Sequence, residues 1–186
     1  MSKHVIGISG SPRENGNTDV AVRTALAEVA GPGVDTEFIR IYDRRIESCR
    51  GCRDCMRLGR CVITDDDVEG LLAELIDADG LVIGAPVYWD GPPGKMKDFI
   101  DRSHGYYASR GSTMLSGLRY SLISVATASG FESHEDVMTC WIDYYGAELV
   151  SSHRIYAREK GDLQARESEL SKARTAGREL LERIRD

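Results

Sequence analysis

The fold of this 186-residue chain is decided by the stretch Val5-Ile-Gly-Ile-Ser-Gly-Ser-Pro-Arg-Glu-Asn-Gly-Asn-Thr18. Its apolar beginning is typical of a buried β-strand, and small and polar residues then form a glycine-rich loop over residues 10–16. A helix follows, because apolar residues recur at the i, i+3, i+4 and i+7 spacing of one helix face: Val22, Ala25, Leu26 and Val29. This strand–loop–helix order predicts the first unit of a parallel α/β sheet.

The rest of the chain repeats this alternation of strands and helices. Four further strands are predicted over residues 36–42, 81–83, 120–126 and 147–156. Further helices are predicted after an acidic cap at residues 65–67, through residues 96–107, over residues 132–145 and from about residue 162. Five strands separated by helices predict one doubly wound domain over residues 1–186. The loops after strands one, three and four should then form one ligand site.

Composition excludes several functional classes. The hydrophobic content of 41% and charged content of 29% are ordinary for a globular protein, and the net charge of −6 argues against a nucleic-acid binder. No apolar run reaches the length of a membrane span, and the N-terminus lacks a signal-peptide pattern. We therefore expect a cytoplasmic protein, in which clustered cysteines indicate metal or redox chemistry rather than disulfides.

The segment Ser9–Thr18 has the features of an anion site. Hydroxyl groups, small residues and a helix N-terminus lie together, so backbone N–H groups and the helix dipole favour a negative ligand. The glycine spacing does not match a Rossmann loop, and Ser11 and Asn17 stand where a Walker A loop requires glycine and lysine. The loop suits a phosphate monoester. The alternative is a simple capped turn with Asn17 or Thr18 as the N-cap.

Four of the five cysteines fall in one short run within residues 46–63, here called the cysteine loop: Cys49, Cys52, Cys55 and Cys61. Four interpretations are open: a 4Fe–4S cluster, a zinc site, disulfide chemistry, and a loop without a metal. The compact C-x2-C-x2-C-x5-C spacing favours a cluster, because structural zinc usually takes two separated cysteine pairs. The loop also carries four basic residues: Arg50, Arg53, Arg57 and Arg60. Their guanidinium groups would attract a negatively charged electron donor, or they form a solvated basic loop without a partner.

The other chemically active side chains show no catalytic pattern. The four histidines are scattered and are predicted to be surface or capping residues: His4, His104, His134 and His153. The role of His104, near the expected site rim, is left open. Cys140 is predicted to pack in a helix as a small hydrophobic residue.

Three motifs carry a resemblance to a known family. Ile8–Arg13 with Asn17-Thr18 resembles the FMN-phosphate loop of the flavodoxin-like NADPH-dependent FMN reductase family. The segments Gly84–Trp89 and Lys97–Arg102 resemble that family's second signature, and the cysteine run before Val62–Asp66 resembles its iron–sulfur flavoprotein branch. The resemblance covers residues 3–130 and implies a sheet in the order 2-1-3-4-5.

The resemblance also implies the cofactors and their ligands. FMN would be held by residues of three loops: Ser9, Ser11, Arg13, Asn17, Thr18, Pro86, Val87, Tyr88, Trp89, Thr127, Ser129 and Gly130. The 4Fe–4S ligands would be Cys49, Cys52, Cys55 and Cys61. No side chain is predicted to be catalytic, because the flavin carries the chemistry.

The activity implied is that of an FMN-dependent oxidoreductase whose cluster relays single electrons to or from the flavin. Ferredoxin or NAD(P)H would donate electrons to a small-molecule acceptor, and the chain would form a homodimer or homotetramer. One alternative is a cluster-free NAD(P)H-dependent FMN or quinone reductase. The other, of a different class, is a non-catalytic redox-sensing flavin module.

Overall fold

Five parallel strands form the central sheet of the computed structural model, which describes residues 2–185. In chain order they are β1 (Lys3–Ser9), β2 (Val34–Arg40), β3 (Gly80–Pro86), β4 (Arg119–Ala126) and β5 (Glu148–Tyr156). They lie in the order β2-β1-β3-β4-β5, and every neighbouring pair is parallel. The prediction of a flavodoxin-like doubly wound sheet in this order is confirmed. The predicted domain also includes residues 1 and 186, which lie outside the described residues.

Eight helices accompany the sheet within the described part of the chain. They are α1 (Asn17–Val29), α2 (Asp54–Leu58), α3 (Val68–Asp77), α4 (Gly94–Ser103), α5 (Tyr107–Arg110), α6 (Phe131–Tyr144), α7 (Asp162–Ala165) and α8 (Glu167–Arg185). Short 3-10 turns lie at Ile41–Asp43, His104–Tyr106 and Gly111–Thr113. The cysteine loop lies between β2 and α3 and contains α2.

The central strands of the sheet, β1, β3 and β4, are buried on both faces. On one face α1 and α8 pack against the apolar side chains of the central strands, with Val22 and Leu180 fully buried. On the other face α3, α4 and α6 enclose a second core around Leu72 and Phe99. This double burial explains why β3 is apolar in both of its side-chain directions.

The structure corrects three predicted boundaries. The strand predicted over residues 36–42 ends at Arg40, because the buried Ile41 begins a 3-10 turn. The helix predicted through residue 107 ends at Ser103 and continues as a 3-10 turn that contains Gly105, a poor helix former. The final helix is divided at Arg166, so that α7 precedes the long α8.

None of the helices described over residues 2–185 combines the length and the apolar character that a membrane span requires.

Candidate functional site

The glycine-rich loop joins the carboxyl end of β1 to the N-terminus of α1. The helix begins at Asn17 with Gly16 as its N-cap. The Asn17 side chain binds another loop instead: its Nδ2 donates to the Glu159 carbonyl at 2.9 Å, and its Oδ1 accepts from the Leu163 N–H at 3.2 Å. The alternative of a turn capped by Asn17 or Thr18 is therefore wrong.

A buried carboxylate holds this loop from behind. Asp19 is 1% exposed and accepts hydrogen bonds from the Ser9 hydroxyl at 2.5 Å and the Asn15 N–H at 2.7 Å. Its charge is paired with the Arg40 guanidinium, whose Nε lies 2.9 Å from Oδ2. Ser9, predicted as a phosphate ligand, thus uses its hydroxyl group to donate a hydrogen bond to Asp19 and stabilises the loop from the protein interior.

A cavity of about 340 Å³, here called the anion cavity, opens at this edge of the sheet. Eight of the predicted FMN residues line it: Ser11, Arg13, Asn17, Thr18, Pro86, Val87, Tyr88 and Thr127. Ser9, Trp89, Ser129 and Gly130 are not among its lining residues. The structure therefore brings the loops after β1, β3 and β4 together, as the strand order requires.

The loop after β5 also lines the anion cavity, although its sequence motifs did not predict this. Its residues there are Ala157, Arg158, Glu159 and Lys160. Arg13 is tied to this loop, because its Nη1 donates to the Arg158 carbonyl at 3.1 Å. The predicted topology could have indicated this contribution, because the carboxyl end of β5 lies at the same edge of the sheet and is followed by a segment with two basic residues. The cavity wall thus carries three basic side chains.

The segment after β3 forms a tight turn beside this cavity. The Tyr88 N–H donates to the Gly91 carbonyl at 2.8 Å, and the Gly91 N–H donates back at 3.1 Å. The two residues between them, Trp89 and Asp90, both have positive φ values, of 49° and 60°. Non-glycine residues rarely adopt this conformation, which often marks a functional site. Trp89 is fully exposed, so packing does not account for its position.

The loop after β4 packs closely on this turn. Gly130 has a φ of +89°, and a Cβ atom there would lie 2.3 Å from Asp90 Oδ1 and 2.9 Å from a Val87 methyl group. Only glycine avoids both the backbone strain and the contact. The two loops therefore form one rigid rim beside the anion cavity.

A buried histidine lies under the same rim. His134, in the first turns of α6, has no exposed surface, and its two ring nitrogens have no hydrogen-bond partner among residues 2–185. The prediction that all histidines are surface or capping residues is wrong here. Burial lowers the pKa of His134, and the nearby Gly91 backbone and Glu135 charge offset this only in part. The ring is therefore kept neutral by its surroundings.

The cysteine loop lines a second cavity of about 840 Å³, here called the cysteine cavity. Cys49 and Cys52 are exposed, and Cys55 and Cys61 are half-buried; all four are free thiols. The cavity's opposite wall is aromatic and includes Trp141, Tyr144 and Tyr145. His104 lies in this wall too, so the structure places it beside the cysteines rather than at the anion cavity.

The fifth cysteine also lies in this cavity. Cys140 was predicted to be packed as a small hydrophobic residue, but it is exposed on α6 and lines the cysteine cavity. The prediction is wrong because the helix face that carries Cys140 looks onto the cysteine loop rather than into the core.

The profile of the NADPH-dependent FMN reductase family matches residues 4–160. This match includes the glycine-rich loop, the cysteine loop and the turn after β3. The chain belongs to the NADPH-dependent FMN reductase family.

Several curated relatives of this chain are named iron-sulfur flavoproteins. One, from Methanocaldococcus jannaschii, is 46% identical over 99 residues, which are 53% of this chain and 51% of the relative. Another, from Archaeoglobus fulgidus, is 36% identical over 101 residues, which are 54% of this chain and 46% of the relative. The matched segment spans about half the length of these curated relatives.

A solved structure described as a flavone reductase has the same fold. It superposes with a TM-score of 0.79 at 19% identity, and the alignment covers 98% of this chain and 63% of that chain. At this identity, the likeness supports the fold alone.

The family description implies an FMN site, and the names of the relatives imply an iron–sulfur cluster. The anion cavity combines a helix N-terminus, hydroxyl groups and Arg13 with the aromatic Tyr88, which fits a phosphate joined to a flat ring. The cysteine cavity offers the four thiols of the cysteine loop and that of Cys140, and thiols are the donors that iron–sulfur clusters require. Among residues 2–185, however, no three His, Cys, Asp or Glu side chains are grouped closely enough to hold a metal ion. The donor type fits a cluster, but the described side chains are not grouped around one centre.

Proposed function

We propose that this protein is an FMN-dependent oxidoreductase whose cysteine loop holds a 4Fe–4S cluster. The observation that carries the flavin assignment is the anion cavity, in which Arg13 and the α1 N-terminus face the aromatic turn after β3. Phosphate donors at one end and an aromatic rim at the other match the two halves of FMN. A bound flavin would supply hydride and single-electron chemistry.

The chain's own residues would bind and orient the cofactor. Ser11, Thr18 and Arg13 would donate to the phosphate, and Lys160 would add positive charge from the loop after β5. Pro86, Val87 and Tyr88 would contact the ring. Trp89, which is fully exposed on the same turn, would cover the ring from the solvent side. Thr127, Ser129 and Gly130 would form the opposite side of the rim. Ser9 would act indirectly through Asp19.

The cluster assignment is supported by the cysteine spacing, by the position of all four thiols on one cavity and by the names of the two relatives. Cys49, Cys52, Cys55 and Cys61 would be the ligands. A 4Fe–4S cluster would supply single-electron transfer. Cys140 stands outside the motif in the same cavity, and so it serves as an internal control.

Anaerobic purification tests both assignments. The wild-type protein should carry bound flavin and about four iron and four sulfide ions per chain. Cys52→Ser should lose most of the iron and keep the flavin, whereas Cys140→Ser should keep both. Flavin without iron, with rapid NAD(P)H turnover, would instead support the cluster-free FMN or quinone reductase. Slow turnover with every donor would support the redox-sensing module.

The electron donor and assembly follow from the same proposal. All four arginines of the cysteine loop are exposed, in a chain of net charge −6. This basic surface suits an acidic protein donor such as ferredoxin, with NAD(P)H as the alternative donor to the flavin. A reducing compartment such as the cytoplasm suits five free thiols. A homodimer or homotetramer would cover the exposed apolar side chains of the loop, Met56, Leu58 and Val62.

A further inference from the structure

A buried arginine joins the cysteine loop to the core of the domain. The Arg102 side chain, on α4, is 1% exposed and is paired with the equally buried Asp66 side chain. Its Nη1 lies 2.6 Å from Asp66 Oδ2, and its Nη2 lies 3.2 Å from Oδ1. Burial raises the pKa of Asp66, but the pKa is lowered overall because the hydrogen bonds and charge of Arg102, together with the backbone N–H groups of Glu47 and Val68, stabilise the carboxylate. Both groups are therefore charged inside the protein.

The same guanidinium holds both ends of the cysteine loop. Nη1 donates to the Glu47 carbonyl at 2.8 Å, just before Cys49, and Nη2 donates to the Ile63 carbonyl at 3.0 Å, just after Cys61. Asp66 adds to this closure, because it accepts the Glu47 N–H at 3.0 Å. A planar fork can make these parallel contacts, whereas a lysine ammonium cannot.

Among the four clustered cysteines, Cys61 lies beside the contacts of this arginine and against the 3-10 turn that follows α4. It is half-buried, lines the same cavity as Arg102, and stands two residues before Ile63, whose carbonyl accepts from Arg102. A Cβ atom at Gly105 would lie 3.0 Å from Cys61 Cβ and 3.2 Å from its N atom, so this glycine gives Cys61 its place. Cys49 and Cys52, in contrast, are exposed on the open part of the loop.

One donor of the guanidinium has no assigned role. The Arg102 Nε is buried and has no hydrogen-bond partner among residues 2–185. A buried N–H without a partner costs stability unless a ligand satisfies it. An anionic thiolate or cluster beside Cys61 would supply such a partner.

We propose that Arg102 is the positioning residue of the cysteine site: it closes the loop at both ends and presets Cys61 as the anchoring ligand. Cys49, Cys52 and Cys55 would be the remaining ligands of the cluster. The charge of Arg102 stabilises the anionic ligand set. This inference rests on the proposed cluster, and its test separates the two.

The test uses the full chain with four variants, three of which are compared for iron release. Arg102→Lys keeps the charge and loses the fork, and Gly105→Ala displaces Cys61 without touching the arginine. Lys97→Gln removes an exposed positive charge from the same helix and is the matched control. After anaerobic reconstitution with iron and sulfide, iron release to a chelator should be about 10-fold faster or more in the first two variants, as for other groups that orient metal ligands. The control should behave as wild type.

Two further readouts separate positioning from mere stability. The cluster's reduction potential should shift to a more negative value in Arg102→Gln and stay closer to wild type in Arg102→Lys, because only the former loses the charge. In the metal-free protein, hydrogen exchange over residues 45–67 should accelerate in Arg102→Lys and not in Lys97→Gln. Bound FMN reports that each variant is folded.

The outcomes are decisive in both directions. If wild type takes up iron and Arg102→Lys retains it with unchanged release and exchange rates, the positioning role is wrong. If wild type takes up no iron, the cluster proposal fails. Faster hydrogen exchange in metal-free Arg102→Lys would then still support the role of Arg102 in holding the loop ends. Unchanged exchange in that variant would overturn this role as well.

Discussion

Replacing Asp19 by asparagine tests how the glycine-rich loop is held. The substitution keeps the shape of the side chain and removes the charge that faces Arg40. Breaking a buried ion pair by removing one partner costs about 3–5 kcal/mol. The asparagine oxygen can still accept from the Ser9 hydroxyl or the Asn15 N–H, which recovers about 1 kcal/mol. We therefore expect the free energy of unfolding to fall by about 2–4 kcal/mol in Asp19→Asn.

The chain contains a matched control for this change. Asp43 pairs with the same guanidinium at 2.5 Å, but its side chain is 61% exposed, against 1% for Asp19. Exposed ion pairs contribute at most about 1 kcal/mol, so Asp43→Asn should cost no more than that. Both variants remove one negative charge from Arg40 and differ in burial.

Urea denaturation of the metal-free and flavin-free proteins at pH 7 measures the difference. The midpoint should fall clearly in Asp19→Asn, with an unchanged slope, and only slightly in Asp43→Asn. Equal losses in the two variants would show that burial of the Asp19–Arg40 pair does not set its strength. A loss below about 0.5 kcal/mol in Asp19→Asn would show that the loop is held by other contacts.

Three further predictions concern the rim and the anion cavity. Arg13→Gln should weaken FMN binding about 10- to 100-fold, because it removes one charged hydrogen bond to the phosphate. Riboflavin, which has no phosphate, should bind unchanged in the same fluorescence titration. An equal loss for riboflavin would contradict the phosphate role. Gly130→Ala should lower the free energy of unfolding by about 1–2 kcal/mol in thermal or urea unfolding, because alanine must adopt a φ of +89° against Asp90. Adding Asp90→Ala should recover part of the loss. No recovery would show that the contact with Asp90 is unimportant. Since burial lowers the pKa of His134, the unfolded chain takes up its proton first as the pH falls below about 6.5. The free energy of unfolding should then decline between pH 7 and pH 5, by at most about 1.4 kcal/mol per pH unit, and His134→Gln should flatten this decline; an identical slope would exclude His134 as the source.

Much of the fold could be predicted from the sequence because its signals are local. The β1–loop–α1 segment shows strand, glycine loop and helix in direct succession, and β3 is apolar throughout. Strands alternating with helices allow few topologies, and so the parallel sheet followed from local patterns.

The details that were missed depend on contacts between distant residues. Nothing in the segment around His134 distinguishes a buried ring from a capping one, because its burial depends on segments distant in sequence that pack over α6. The exposure of Cys140 depends on where the cysteine loop lies. The contribution of residues 157–160 to the anion cavity requires the position of the edge strand β5. Each is a property of the packed chain rather than of a motif.

The bonds between the glycine-rich loop and the loop after β5 bear on the order of folding. Arg13 and Asn17 reach partners 145, 142 and 146 residues further along the chain. Contacts of such sequence separation form late, because a long loop must close before they do. The anion cavity is thus completed only when the edge strand docks. During synthesis the nascent chain would carry β1 and α1 long before it could retain a phosphate, so cofactor uptake would report the arrival of the last strand.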